Sequence, residues 1–161
     1  MLSIYVTLFL LLSTMRVDYV GDNRIEHFNR NPRGYGIEYY DPISFYDGEP
    51  RIGLESIPFT YNGITYTFSN AENKSRFIER FKEIEPRFGG WCAYSMTEGR
   101  KINFDPESYA IHNDSLYLFK DNESKEKFIS NFDEMNIKAW KEWARILPTF
   151  DPKDSLFRNS K

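Results

Sequence analysis

The chain of 161 residues contains one cysteine, Cys92. An intrachain disulfide is therefore excluded. So is any metal centre that needs two or more thiolates from one chain, such as a zinc finger. Histidine is scarce too: only His27 and His112 occur, and no spacing pairs either of them with Cys92 for thiol catalysis. There is no clustered basic face. Lys and Arg number 21 against 24 Asp and Glu, for a net charge of −3, and the signs are mixed along the chain. That argues against a phosphate-tracking surface for nucleic acid. No glycine-rich phosphate cradle is present. No tandem repeat or low-complexity tract is evident.

Aromatic side chains are what the sequence has in quantity: 14 Phe, 11 Tyr and 3 Trp. With 40% hydrophobic residues, the chain has enough apolar surface to form one core, and its length suits a single domain.

The first residues, "MLSIYVTLFLLLST", are apolar from Leu2 to Leu12. A bilayer-spanning helix needs about 20 apolar residues, so the run is too short for that. It has the length of a signal-peptide core. Residues 1–15 are expected to be a signal peptide or short membrane anchor. That places the protein as exported, periplasmic or membrane-anchored, with membrane contact only through this segment. The alternative is a cytoplasmic protein in which the run belongs to the fold. Residues 16–36 are polar and aperiodic, with Gly and Pro, and read as a linker or loosely docked arm. The domain is expected over 37–148 and a tail over 149–161. Asn-x-Ser triplets begin at Asn73, Asn113 and Asn122; they matter only in a eukaryotic secretory pathway.

Within the domain, Asp41-Pro42 predicts a bend. Ile43 to Tyr46 comes next as a short strand or turn. "IPFTYNGITYTFS" predicts a β-hairpin, because Asn62-Gly63 supplies the positive φ values of a type I′ turn between alternating aromatics. Ser69 or Asn70 caps an amphipathic helix carrying Phe77, Phe81 and Ile84, with Ile78 alongside, and Pro86 ends it. Its stripe should lie on the hairpin's aromatic face. Gly89-Gly90 breaks the chain, and "WCAYSMTEG" predicts about two helical turns up to Gly99. "SYAIHNDSLYLF" predicts a second hairpin turning at Asn113-Asp114. The last element runs from Asn122 to Leu147, with a break expected near Asn136. The fold class is α+β: two β-hairpins with an amphipathic helix, a short Cys-bearing helix and a long C-terminal helix.

Four stretches in order, "YDPIS" from Tyr40, "YNGITYTFSNAENKSRF", "PRFGGWCAY" and "DPESYAIHNDSLYLF", resemble the YHS-domain proteins, in particular their exported single-cysteine branch. The likeness covers roughly Tyr39 to Trp143. It implies a link to heavy-metal handling, although that branch lacks the paired thiols of its cysteine-rich relatives. His112 stands where the family usually has an apolar residue, and Asp114 where it usually has Gly.

Cys92 is the residue on which a chemical role would centre. A thiol in the first turn of a helix is held toward thiolate by free N–H groups and the helix dipole. Such a thiolate would be a soft-metal ligand or a nucleophile. Gly89 and Gly90 would let a ligand approach closely, and Trp91 and Tyr94 would wall the site. The expected metal ligand is therefore Cys92, with Gly89, Gly90, Trp91 and Tyr94 as ligand-binding neighbours. Copper or zinc are the metals considered. One thiolate binds weakly, so a partner protein would have to complete the shell. Two other readings stand beside it: a thiol-dependent enzyme or redox factor, and an interaction module whose Cys92 is small, buried and structural. Asp41 and Asp105 each precede proline and read as turn formers that accept backbone N–H groups.

Overall fold

Asn62 and Gly63 take φ of 44° and 78°, the two left-handed values that a two-residue hairpin turn requires. They join β1, Leu54–Tyr61, to β2, Ile64–Phe68, with Tyr61 opposite Ile64. The second hairpin repeats this. Asn113 and Asp114 take φ of 48° and 56° between β3, Asp105–His112, and β4, Ser115–Phe119. These elements belong to a computed structural model that describes residues 24–147. The expected signal or anchor over 1–15 and the tail over 149–161 lie outside the described residues. Among the described residues no helix is long and apolar enough to cross a membrane.

Each hairpin is a separate two-stranded antiparallel sheet, and each is followed by a helix. A short helix, α1, Arg24–His27, precedes the first hairpin. Helix α2, Ala71–Ile84, starts at Asn70, whose side chain accepts the Asn73 N–H at 2.8 Å. Helix α3 is the short Ala93–Met96. Helix α4, Asn122–Ile129, starts at Asp121, whose carboxylate accepts the Ser124 N–H at 2.7 Å. Helix α5, Phe132–Ile146, closes the domain. The architecture is a small single α+β domain, as the patterning requires.

The two hairpin–helix units are copies of one plan, so the expectation of no repeat is corrected. Asn62 and Asn113, Tyr66 and Tyr117, Phe68 and Phe119, Asn70 and Asp121, and Phe77 and Phe128 each stand 51 positions apart. The strand irregularity recurs as well. Register shifts between Leu54 and Pro58 in the first unit and between Asp105 and Tyr109 in the second. The packing repeats too. Tyr66 and Phe68 flank Phe77 at ring distances of 5.0 and 5.3 Å. Tyr117 and Phe119 flank Phe128 at 5.8 and 5.5 Å. The stripe of α2 thus lies on the aromatic face as its spacing predicts, except that Ile78 points outward and is exposed. Few side chains are shared between the two units, which hides the repeat in the sequence, while the backbone plan is the same.

Two further expectations change. The arm is no loose linker over its described part. Phe28 and Asn29 are buried, Arg30 bridges Gly36, and Tyr35 pairs in parallel with Thr65 at the outer edge of β2. The domain therefore begins before Ile37. Its anchor is the Arg24 guanidinium, which lies 4.0 Å above the Phe28 ring and forks onto the Glu85 carboxylate. Tyr66 Oη donates to the same carboxylate at 2.8 Å. The break in the C-terminal helix falls at Asn131, not near Asn136. Asn131 leaves helical geometry, with φ −135° and ψ 52°, and the chain turns so that Phe132 reaches the Tyr117 ring at 5.4 Å. Of the two forms expected for Ile43–Tyr46, the chain adopts the turn.

Candidate functional site

The segment before Cys92 runs Phe88, Gly89, Gly90 with φ of 53°, 62° and 83°, a left-handed turn. Glycine is required there for space as well as for φ. A Cβ at Gly89 would lie 2.8 Å from Trp143, and one at Gly90 would lie 2.4 Å from Ile37 Cγ2. The two glycines let the arm and α5 close on this turn. Asn29 locks the contact: its N–H donates to the Gly89 carbonyl at 2.8 Å, and its Nδ2 donates to the Gly90 carbonyl at 3.0 Å. Trp91 then lies extended, and its indole N–H donates to the His27 carbonyl at 2.6 Å.

Cys92 is not in the first helical turn. It is the residue before it, the N-cap of α3, with φ −56° and ψ 116°. Its Sγ accepts the Ser95 N–H at 3.5 Å, its N–H donates to the Ile102 carbonyl, and it bridges Leu118 on β4. The side chain is 0% exposed. The glycine turn delivers the chain extended to the outer edge of β4, so the residue that meets that edge can only cap α3 and not join it. Tyr94 is half-buried, with Lys127 Nζ 5.9 Å over its ring. Next to the cap, Ser95 Oγ is buried with no hydrogen-bond partner among the described residues.

The five expected site residues thus come together, but as a seam. Gly89, Gly90 and Trp91 face the arm, Cys92 faces β4, and Tyr94 faces α4. Cys92 lines none of the three surface recesses at β3 and α4, at the Tyr46–Ile84 contact and along the last turns of α2. No cluster of three His, Cys, Asp or Glu suited to a metal ion occurs among the described residues. His112, next to the second hairpin turn, is half-buried and stacks on Phe132 at 3.7 Å. The His27 ring lies 3.4 Å from Lys101 Nζ.

The most connected polar group among the described residues is one the sequence marks as a turn former. Asp41 is 0% exposed. Its carboxylate accepts the Ile43 and Ser69 N–H groups at 2.9 Å each, Ser69 Oγ at 2.7 Å and Asn73 Nδ2 at 2.7 Å. The Asp41 carbonyl accepts Ser44 Oγ, which in turn accepts the Arg51 N–H. Three donors meet Oδ2 and one meets Oδ1, so this buried carboxylate is committed to joining segments of the fold. Asp105 plays a smaller version of the part, accepting the Glu107 N–H at 3.1 Å and Ser108 Oγ at 3.3 Å. Asn73 is committed to Asp41 and buried, so its Asn-x-Ser triplet is closed to glycosylation in the folded chain. Compared with known proteins, the chain matches no family model, no curated protein and no solved structure.

Proposed function

We propose that this chain is a non-catalytic binding module, of the YHS type its four motifs resemble, in which Cys92 is a structural thiol. The observation that carries the reading is the complete burial of the Cys92 side chain as a helix cap against β4. A nucleophile or metal ligand must be reached from outside, and this residue is fully buried between β4 and the start of α3. The polar groups with the strongest networks, Asp41 and Glu85, are likewise spent on joining segments of the fold. What the surface offers instead is apolar relief outside the thiol region.

Alkylation of the native full-length protein across pH 6 to 9 tests this. Cys92 should stay unmodified until denaturant is added, and then react at the rate of an ordinary thiol. The Cys92→Ala protein should fold and take up copper(I) and zinc no differently from the parent. Rapid native alkylation, or metal uptake that disappears with the sulfur, would return the site to a chemical role.

A further inference from the structure

Among the differences between the two hairpin–helix units, one removes a ring that packs on the following helix. Phe59 on β1 faces α2 and packs edge-on against Phe77 at 6.2 Å. The position 51 residues later is Ala110. The neighbouring ring contact recurs: Tyr61 on Phe81 in the first unit becomes His112 on Phe132 in the second, at 4.2 and 3.7 Å. Where the ring is lost, an apolar groove of about 500 Å³ opens between β3 and α4, lined by Tyr109, Ala110, Lys125, Glu126, Ile129 and Ser130. In the first unit the corresponding strand position carries the half-buried Phe59 ring, in contact with Phe77.

We propose that this groove takes an aromatic side chain from an extended peptide segment of a partner protein, laid along the free edge of β3. The chemistry of the occupant is set by the first unit, where the equivalent space is filled by a phenyl ring. Its form is set by the strand. The inner edge of β3 pairs with β4, and among the described residues its outer edge has no bridge, whereas β4 is capped by Cys92. An added strand would gain ladder hydrogen bonds there, with alternate side chains falling over α4. Size argues against a second copy of the chain. A single buried ring covers about 150–250 Å², while a stable dimer buries roughly 800 Å² on each partner. A short segment anchored by one ring fits that scale.

This deepens the binding-module reading and rests on it. The probe is an eight-residue peptide alternating threonine and valine, with lysine at both ends and one central phenylalanine; its control carries alanine at the centre. Titrated into the full-length protein, the phenylalanine peptide should shift the amide signals of Tyr109, Ala110 and Ile111 and the methyl signals of Ile129, and saturate. The alanine peptide should bind about tenfold more weakly or worse, the loss of one buried ring. Ala110→Phe, which restores the first unit's arrangement, should fold and abolish binding. Ile129→Asn, which makes the groove polar, should weaken it and serves if Ala110→Phe does not fold. Absence of saturable binding at millimolar peptide, equal binding of the two peptides, or binding unaffected by the groove variants would overturn the proposal. With Cys92 still inert, such a failure removes this groove alone; a reactive native thiol removes the binding module itself.

Discussion

Asp41 shows how much one residue settles. Four donors from three places in the chain converge on its carboxylate, so it ties the segment before β1 to the start of α2. Asp41→Ala should cost about 3–5 kcal/mol, because it orphans several buried donors at about 1–3 kcal/mol each. Asp41→Asn should cost less than Asp41→Ala, since one acceptor oxygen survives. Urea unfolding of the three proteins measures both. A loss under about 1 kcal/mol for the alanine variant would contradict the network. In the sequence, Asp41-Pro42 announced a bend that accepts N–H groups, and it is one. The partners Ser69 and Asn73 were illegible, because a long-range hydrogen bond leaves no periodicity behind. Cys92 was legible as the special position but not as a buried one. Its placement depends on Gly89 and Gly90 turning left-handed against an arm that local composition marks as solvent-facing.

At the level of elements, hairpins and helix caps were readable because each is governed by neighbours in sequence. Asn62-Gly63 fixes a turn, and Asn70 satisfies the first turn of α2. The helix break escaped for the opposite reason: it is set by where Phe132 must go to meet Tyr117 and His112. The repeat escaped because only a handful of positions, among them Asn62, Tyr66, Phe68 and Phe77, keep their residue or its character in the second unit. Their shared spacing was the available signal. One hairpin carries a measurable defect. Asp114 holds φ at 56°, where glycine costs less. Asp114→Gly should stabilise the fold by about 0.5–1 kcal/mol. The 3.7 Å contact with Arg80 that it sacrifices is exposed and worth little. A shift in the urea midpoint without a change in slope is the expected result; a lower midpoint would mean the aspartate does more than turn the chain.

The whole molecule is held by a buried phenol and an ion pair as well as by rings. Burial, with the Glu85 charge second, pushes the Tyr66 hydroxyl well above its ordinary value of 10.0. Burial pushes Tyr46 and Tyr117 upward too. A phenol whose folded value is raised contributes its full stability below the unfolded value and loses it as pH climbs beyond. Stability should therefore hold to about pH 10 and fall above it. Tyr66→Phe should flatten that alkaline slope while lowering stability at neutral pH by the hydrogen bond it loses to Glu85. Denaturation curves from pH 8 to 11 read both effects, and an unchanged slope in the variant would show that Tyr66 is not the group responsible. The duplicated plan bears on how the chain reaches this state. Each hairpin and its following helix contain their own turn, cap and central ring, so each closes only short loops to form a nucleus. Two such nuclei arise from local contacts, and the arm and the glycine turn then join them across long sequence separations. The duplicated plan thus predicts that folding speed is set by the late docking of the two halves, so that Asn29→Ala at their seam should slow refolding in a stopped-flow measurement.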